Sequence, residues 1–115
     1  MGVEFKITAF ENENQEEPFT NWLLSLGSVV KKRILARLAR LQVGNFGDCK
    51  KIDVNVFELR CFFGAGYRIY FGKERKYIVV LLCGGDKSSQ TKDIRRAKQY
   101  WSEYNEQKNR KNKQL

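Results

Sequence analysis

Apolar and polar residues alternate from Val3 to Phe10, with Val3, Phe5, Ile7 and Ala9 on one side. This period of two predicts a half-buried strand. An acidic, Asn-rich loop follows. Pro18 then suits the first turn of a helix, where its missing N–H leaves no intrahelical bond unmade. Phe19, Trp22, Leu23 and Leu26 recur at helical spacing. Gly27 is expected to stop this helix and Ser28 to cap the next. The second helix carries an apolar stripe of Ile34, Leu35, Leu38 and Leu41, interspersed with Lys31, Lys32, Arg33, Arg37 and Arg40. Gly44 falls where its C-terminus is due.

The second half of the chain reads as strands followed by a helix. Val54–Phe63 and Gly66–Phe71 are separated by a glycine-bearing turn, and a short strand near Cys49–Ile52 precedes them. Tyr77–Cys83 follows a polar loop, Gly72–Lys76, and is apolar on both faces, which places it in the interior of a sheet. Ser88 or Ser89 is expected to cap a last helix in which Ile94, Ala97 and Trp101 share a face. From Asn105 the chain reads NEQKNRKNKQL, polar and expected to fray. The resulting order is β-α-α-β-β-β-β-α: one domain over residues 1–104 with a basic tail over 105–115. The fold class is α+β, with two N-terminal helices and a C-terminal helix packed on a twisted, mostly antiparallel sheet.

Composition narrows the setting. A chain of 115 residues with 42% hydrophobic and 30% charged content fits one soluble globular domain. No apolar run approaches the roughly 18–20 residues of a membrane span, and MGVEFKITAF lacks a signal peptide's pattern. A cytoplasmic protein without membrane contact is therefore expected. Cys49, Cys61 and Cys83 are odd in number and match no zinc or redox spacing; Cys61 and Cys83 read as small buried hydrophobes. The net charge of +9 calls for a polyanionic partner, and nucleic acid is favoured over membrane or an acidic protein. The sequence has no histidine, which removes the commonest general base and the commonest metal ligand. No metal and no cofactor are expected.

The stretch ELRCFFGAGYRIYF carries the most chemistry. Phe57, Leu59 and Cys61 face one way along its first strand, and Glu58 and Arg60 the other. Tyr67, Ile69 and Phe71 face one way along its second, and Arg68 and Tyr70 the other. The apolar sets must share the core, so Arg60 and Arg68 project from the opposite face. A three-residue loop of Phe63, Gly64 and Ala65 sets them directly across from one another. Like charges so placed are unfavourable unless an anion joins them. Two guanidinium forks suit a phosphate. The competing reading is two solvated arginines paired with Glu58. Tyr70, on the same face, is a candidate to stack on a base.

Lys87, in CGGDKSSQ, lies where a strand opens through Gly84-Gly85 into a helix start. That geometry is either an anion site or an ordinary turn with a capping serine. Of Lys50 and Lys51, one joins the arginine face if their segment pairs with the hairpin. Arg37 and Arg40 belong to a basic helix that either steers RNA or is a solvated face. Phe19, Trp22 and Trp101 are assigned to packing.

The run GNFGDCK…VFELRCFFGAGYRIYF…VVLLCGGDKSSQTKDIRRAKQYW resembles the addiction-module killer proteins, a HigB-like branch of the RelE/ParE toxin superfamily, over roughly Phe19 to Trp101. The resemblance implies a RelE-like fold with two N-terminal helices on one face of the sheet. It implies a type II toxin-antitoxin system, with a cognate helix-turn-helix antitoxin (HigA-like) that blocks the toxin and through which alone operator DNA is bound. It also implies metal-independent endoribonuclease action on mRNA in the ribosomal A site, by attack of a 2′-hydroxyl on its neighbouring phosphate. Arg60 in ELR, Arg68 in GYR and Lys87 in GGDK would bind and stabilise that phosphate. Lys50 and Lys51 would hold flanking phosphates of mRNA or ribosomal RNA. Several superfamily members place a histidine or a C-terminal tyrosine near the reacting atoms. Here histidine is absent and Tyr100 lies inside the last helix, so the general acid and base are unassigned. A ParE-like inhibitor of DNA gyrase and a basic nucleic-acid-binding module without activity are the alternatives.

Overall fold

A computed structural model describes residues 4–113. Strand β1 spans Lys6–Ala9, and helices α1 and α2 span Pro18–Ser25 and Ser28–Gln42. Strands β2 (Cys49–Asp53), β3 (Val56–Arg60), β4 (Arg68–Glu74) and β5 (Ile78–Gly85) follow. A 3₁₀ turn over Lys87–Ser89 then leads into α3, Gln90–Lys113. The five strands form one mixed sheet in the order β1-β5-β4-β3-β2. Strand β1 runs parallel to β5 and the other pairings are antiparallel. The expected α+β class therefore stands, with three helices on a mostly antiparallel sheet. Val3 lies outside the described residues.

The sheet is covered on both faces. Phe19, Ile34 and Leu41 from α1 and α2 pack with Leu59, Cys61, Ile69, Phe71, Val79 and Leu81 on one face. Ala97, Ile94 and Trp101 of α3 pack with Phe10, Val56, Tyr70, Val80, Leu82 and Cys83 on the other. Strand β5 supplies both cores by alternation, Val79 and Leu81 to one face and Val80 and Leu82 to the other, and Leu82 is an extra residue: Tyr70 pairs with Cys83 but Phe71 pairs with Leu81. This bulge turns Leu82 and Cys83 to the same face.

Two glycines have a packing reason. A Cβ at Gly72 would overlap the Trp101 ring, and one at Gly84 would overlap the Trp22 ring. Each tryptophan thus lies on a bare stretch of strand, one on each face of the sheet. Gly72 therefore belongs to β4 and not to the expected Gly72–Lys76 loop, and the chain turns only after Glu74, with Arg75 at a φ of 55°. Gly44, with a φ of 91°, closes α2 as expected, and Asn45 N–H reaches back to the Arg40 carbonyl at 2.9 Å.

Several local expectations are corrected. Gly27 is the N-cap of α2 and Ser28 its first residue, so Ser28 caps nothing. The cap before α3 is Asp86, not a serine: its carboxylate accepts from Ser88 N–H at 2.8 Å, and Ser89 Oγ accepts from Asp86 N–H at 3.3 Å. Leu35 is about half exposed, while Arg37 is buried in its place. The segment after Asn105 is helical through Lys113, because it has partners on the body of the domain. Lys108 pairs with Glu74, Gln107 donates to the Glu11 carbonyl at 3.0 Å, and Arg110 reaches Glu13 at 3.5 Å. Among the described residues, no helix is long and apolar enough to cross a membrane.

Candidate nucleic-acid interface

Strands β3 and β4 pair with Arg60 opposite Arg68, Leu59 opposite Ile69 and Glu58 opposite Tyr70. The expected register is therefore the observed one, although the loop is longer: the last bond of the ladder joins Cys61 N–H to the Tyr67 carbonyl at 2.9 Å. Leu59 and Ile69 are fully buried against α1 and α2. Their burial holds Glu58, Arg60, Arg68 and Tyr70 on the α3 face, because a slip of one residue would expose the core.

Glu58 is the hub of that face. It is only 1% exposed, and its carboxylate lies 3.5 Å from Arg60 Nε and 3.7 Å from Arg68 Nε. It accepts from Tyr70 Oη at 3.0 Å and from Gln90 Nε2, at the start of α3, at 2.9 Å. A buried carboxylate needs such partners to remain charged. Arg68 is the more enclosed arginine, with 12% of its side chain exposed and an Nη1 bond to the Gly66 carbonyl at 2.9 Å. Arg60 is more open, at 38%, and also lies 4.0 Å from Asp48. The like charges thus sit side by side because one carboxylate lies between them.

Tyr70 does not stack on a base. It is fully buried, with its ring in the α3 core and its hydroxyl on Glu58. Burial, followed by the charge and hydrogen bond of Glu58, pushes its ionisation far above the ordinary phenol range. Arg37 is not a surface contact either. Its guanidinium donates to the carbonyls of Asn45, at 3.0 Å, and Phe46, pinning the loop that follows α2. Burial and then the nearby Arg40 lower its pKa. Arg40, one turn on, is exposed.

Lys50 pairs with Glu58 across β2 and β3 and joins the arginine face. Lys51 pairs with Phe57, so it projects from the opposite face, beside Phe46, Cys49, Phe71 and Lys73. Lys87 is exposed and stands against the hairpin loop, with its N–H 3.4 Å from the Ala65 carbonyl. The Gly84-Gly85 opening is not an anion cradle. Both glycines belong to β5, and the Asp93 carboxylate occupies the space a Cβ at Gly85 would take. The first free N–H groups of the helical segment go to Asp86.

The arginine row ends at a cleft of about 300 Å³ between α2, the loop after it and the hairpin tip, lined by Arg37, Arg40, Asp48, Arg60, Phe62 and Phe63 among others. Sequence reasoning missed Gln90, Asp48 and Phe62, and gave Glu58 only a side role. An acidic residue between arginines on a strand was the available signal for Glu58. Cys61 and Cys83 are buried as expected, and burial pushes the Cys83 thiol to about 12.

No family model matches the chain. A Haemophilus influenzae protein, described as uncharacterized, is 51% identical over 81 residues, which cover 70% of this chain and 82% of that protein. On that identity and coverage, the chain belongs to the same family as this H. influenzae protein.

Proposed function

We propose that this chain is a RelE/HigB-like toxin of a type II toxin-antitoxin system, a metal-independent endoribonuclease that cuts mRNA on the ribosome. The observation that carries the reading is Arg60 opposite Arg68, in register, around a single buried carboxylate. Glu58 and Gln90 hold the pair in place before substrate arrives, so little reorganisation is left for the bound phosphate. Arg60, with Lys50 and Lys87 at the edges, meets the scissile phosphate as the 2′-hydroxyl loses its proton and attacks; a 2′,3′-cyclic phosphate forms, the P–O5′ bond breaks and the departing 5′-oxygen takes up a proton. Arg68 acts from behind, through its charge and its hold on Glu58. In the cell a cytoplasmic helix-turn-helix antitoxin would cover this face, and the ribosome would present the message.

The test is expression of the chain alone, with Arg60→Ala/Arg68→Ala as control, while mRNA 5′ ends are mapped. New in-frame cuts in translated messages, absent from the control, are expected. Growth arrest with intact mRNA would overturn the nuclease reading, and gyrase-linked DNA breaks would then favour gyrase inhibition. The enclosure of Arg68 favours one second reading, a basic nucleic-acid-binding module without chemistry. Unimpaired growth on expression is its expected result.

A further inference from the structure

Phe62 is the most exposed large apolar side chain among the described residues, 80% in solvent. One exposed ring is ordinary on a protein surface; what distinguishes Phe62 is the cleft it lines. Three arginines face one carboxylate, Asp48, in that cleft. Arg37 is already bonded to two backbone carbonyls, so the cations open to a ligand are Arg40 and Arg60. Arg60 Nε is turned inward, 3.5 Å from Glu58, but Nη1 meets Asp48 only at 4.0 Å and the side chain is 38% exposed, so the outer end of the guanidinium retains donors to give. The neighbouring Phe63 is engaged differently: it packs on Tyr67 at 5.5 Å and lies under Arg33 at 4.8 Å. These contacts anchor the tip from which Phe62 projects.

We propose that this cleft is a subsite for one nucleotide of single-stranded RNA, with Phe62 stacked on the base and Arg40 and Arg60 on the flanking phosphates. The inference rests on the RNA reading above and assigns the stacking role that buried Tyr70 cannot fill. An aromatic face beside fixed cations is the arrangement by which single strands are held without reading their sequence. The space of about 300 Å³ lies at the small end of ligand sites, suited to one nucleotide rather than a helix. A paired base would keep its face inside its own stack, so the strand must be single.

The experiment measures binding of labelled hexauridylate, and of an abasic ribose-phosphate hexamer, to the wild type and to Phe62→Ala, Phe62→Leu and Phe62→Tyr. Alanine and leucine are expected to weaken hexauridylate binding about tenfold, and tyrosine to stay within about twofold. All four proteins should bind the abasic hexamer alike. Equal hexauridylate affinity of the wild type and Phe62→Ala would overturn the subsite, as would leucine matching tyrosine. Because Phe62 is exposed, unchanged urea midpoints should accompany every variant. Cleavage in a translation extract separates the two claims. Cuts that persist while Phe62→Ala binds normally sink the subsite alone. A Phe62-dependent affinity without cuts supports the subsite and sinks the nuclease reading.

Discussion

The two faces of the β3–β4 hairpin alternate along the same two strands and are built by opposite means. On the α1–α2 face, Phe57, Leu59, Ile69 and Phe71 meet other apolar groups, with Phe57 and Phe71 stacked at 5.4 Å. On the α3 face, the same strands present Glu58, Tyr70, Arg60 and Arg68, joined by hydrogen bonds and ion pairs. The apolar face tolerates small changes of shape, because any atom of the right size serves. The polar face does not, because removing one partner leaves another buried and unmatched. Both faces therefore support stability, but only the polar one sets the geometry of the site.

Glu58→Ala is expected to be the most damaging single change to the polar face. It removes the counter-charge of Arg68 and should cost about 3 kcal/mol in urea denaturation. A loss under about 1 kcal/mol would mean that Arg68 reaches water unaided and that the contrast between faces is weaker. Gly72→Ala and Gly84→Ala probe the faces in parallel, since each drives a methyl group into a tryptophan. Both should lose about 1–3 kcal/mol, and pairing each with Trp101→Leu or Trp22→Leu should recover part of the loss. Arg37→Ala should cost about 1–2 kcal/mol through its two carbonyl bonds. Arg40→Ala, on an exposed site one turn away, should leave stability unchanged and weaken RNA binding.

Alkali gives the most gradual effect. Burial pushes the Cys83 thiol up from the ordinary 9.0 to about 12, so its contribution is complete below pH 9 and lost as pH rises towards 12. Stability should fall across that window. Cys83→Ala should reduce the slope by up to about 1.4 kcal/mol per pH unit. An unchanged slope would show that Tyr70 and the other raised groups carry the alkaline response.

The hairpin was legible in the sequence because its alternation is strict: one face reads FLC and YIF, and the register follows. The same logic brought one of Lys50 and Lys51 to the site, and the register of β2 on β3 selects Lys50. Tyr70 was misplaced because alternation assigns a residue to a face without saying what covers that face, and α3 covers this one. Arg37 was misread because a helix pattern cannot foresee that the loop after it will fold back to offer carbonyls. Gly72 looked like a loop residue because the tryptophan that requires it lies 29 positions further on. The extended α3 was hidden for a related reason: its holding partners, Glu11, Glu13 and Glu74, come from distant parts of the chain. The relation to H. influenzae extends the family without adding a function.

The two tryptophans also provide an optical readout. Trp22 and Trp101 are the chain's whole complement of indole, and each rests on a strand glycine on a different side of the sheet. A Trp22→Phe protein would emit only from the α3 side, and a Trp101→Phe protein only from the α1–α2 side. Emission recorded during unfolding would then time the opening of each layer separately, and emission recorded on partner binding would reveal which layer the partner touches.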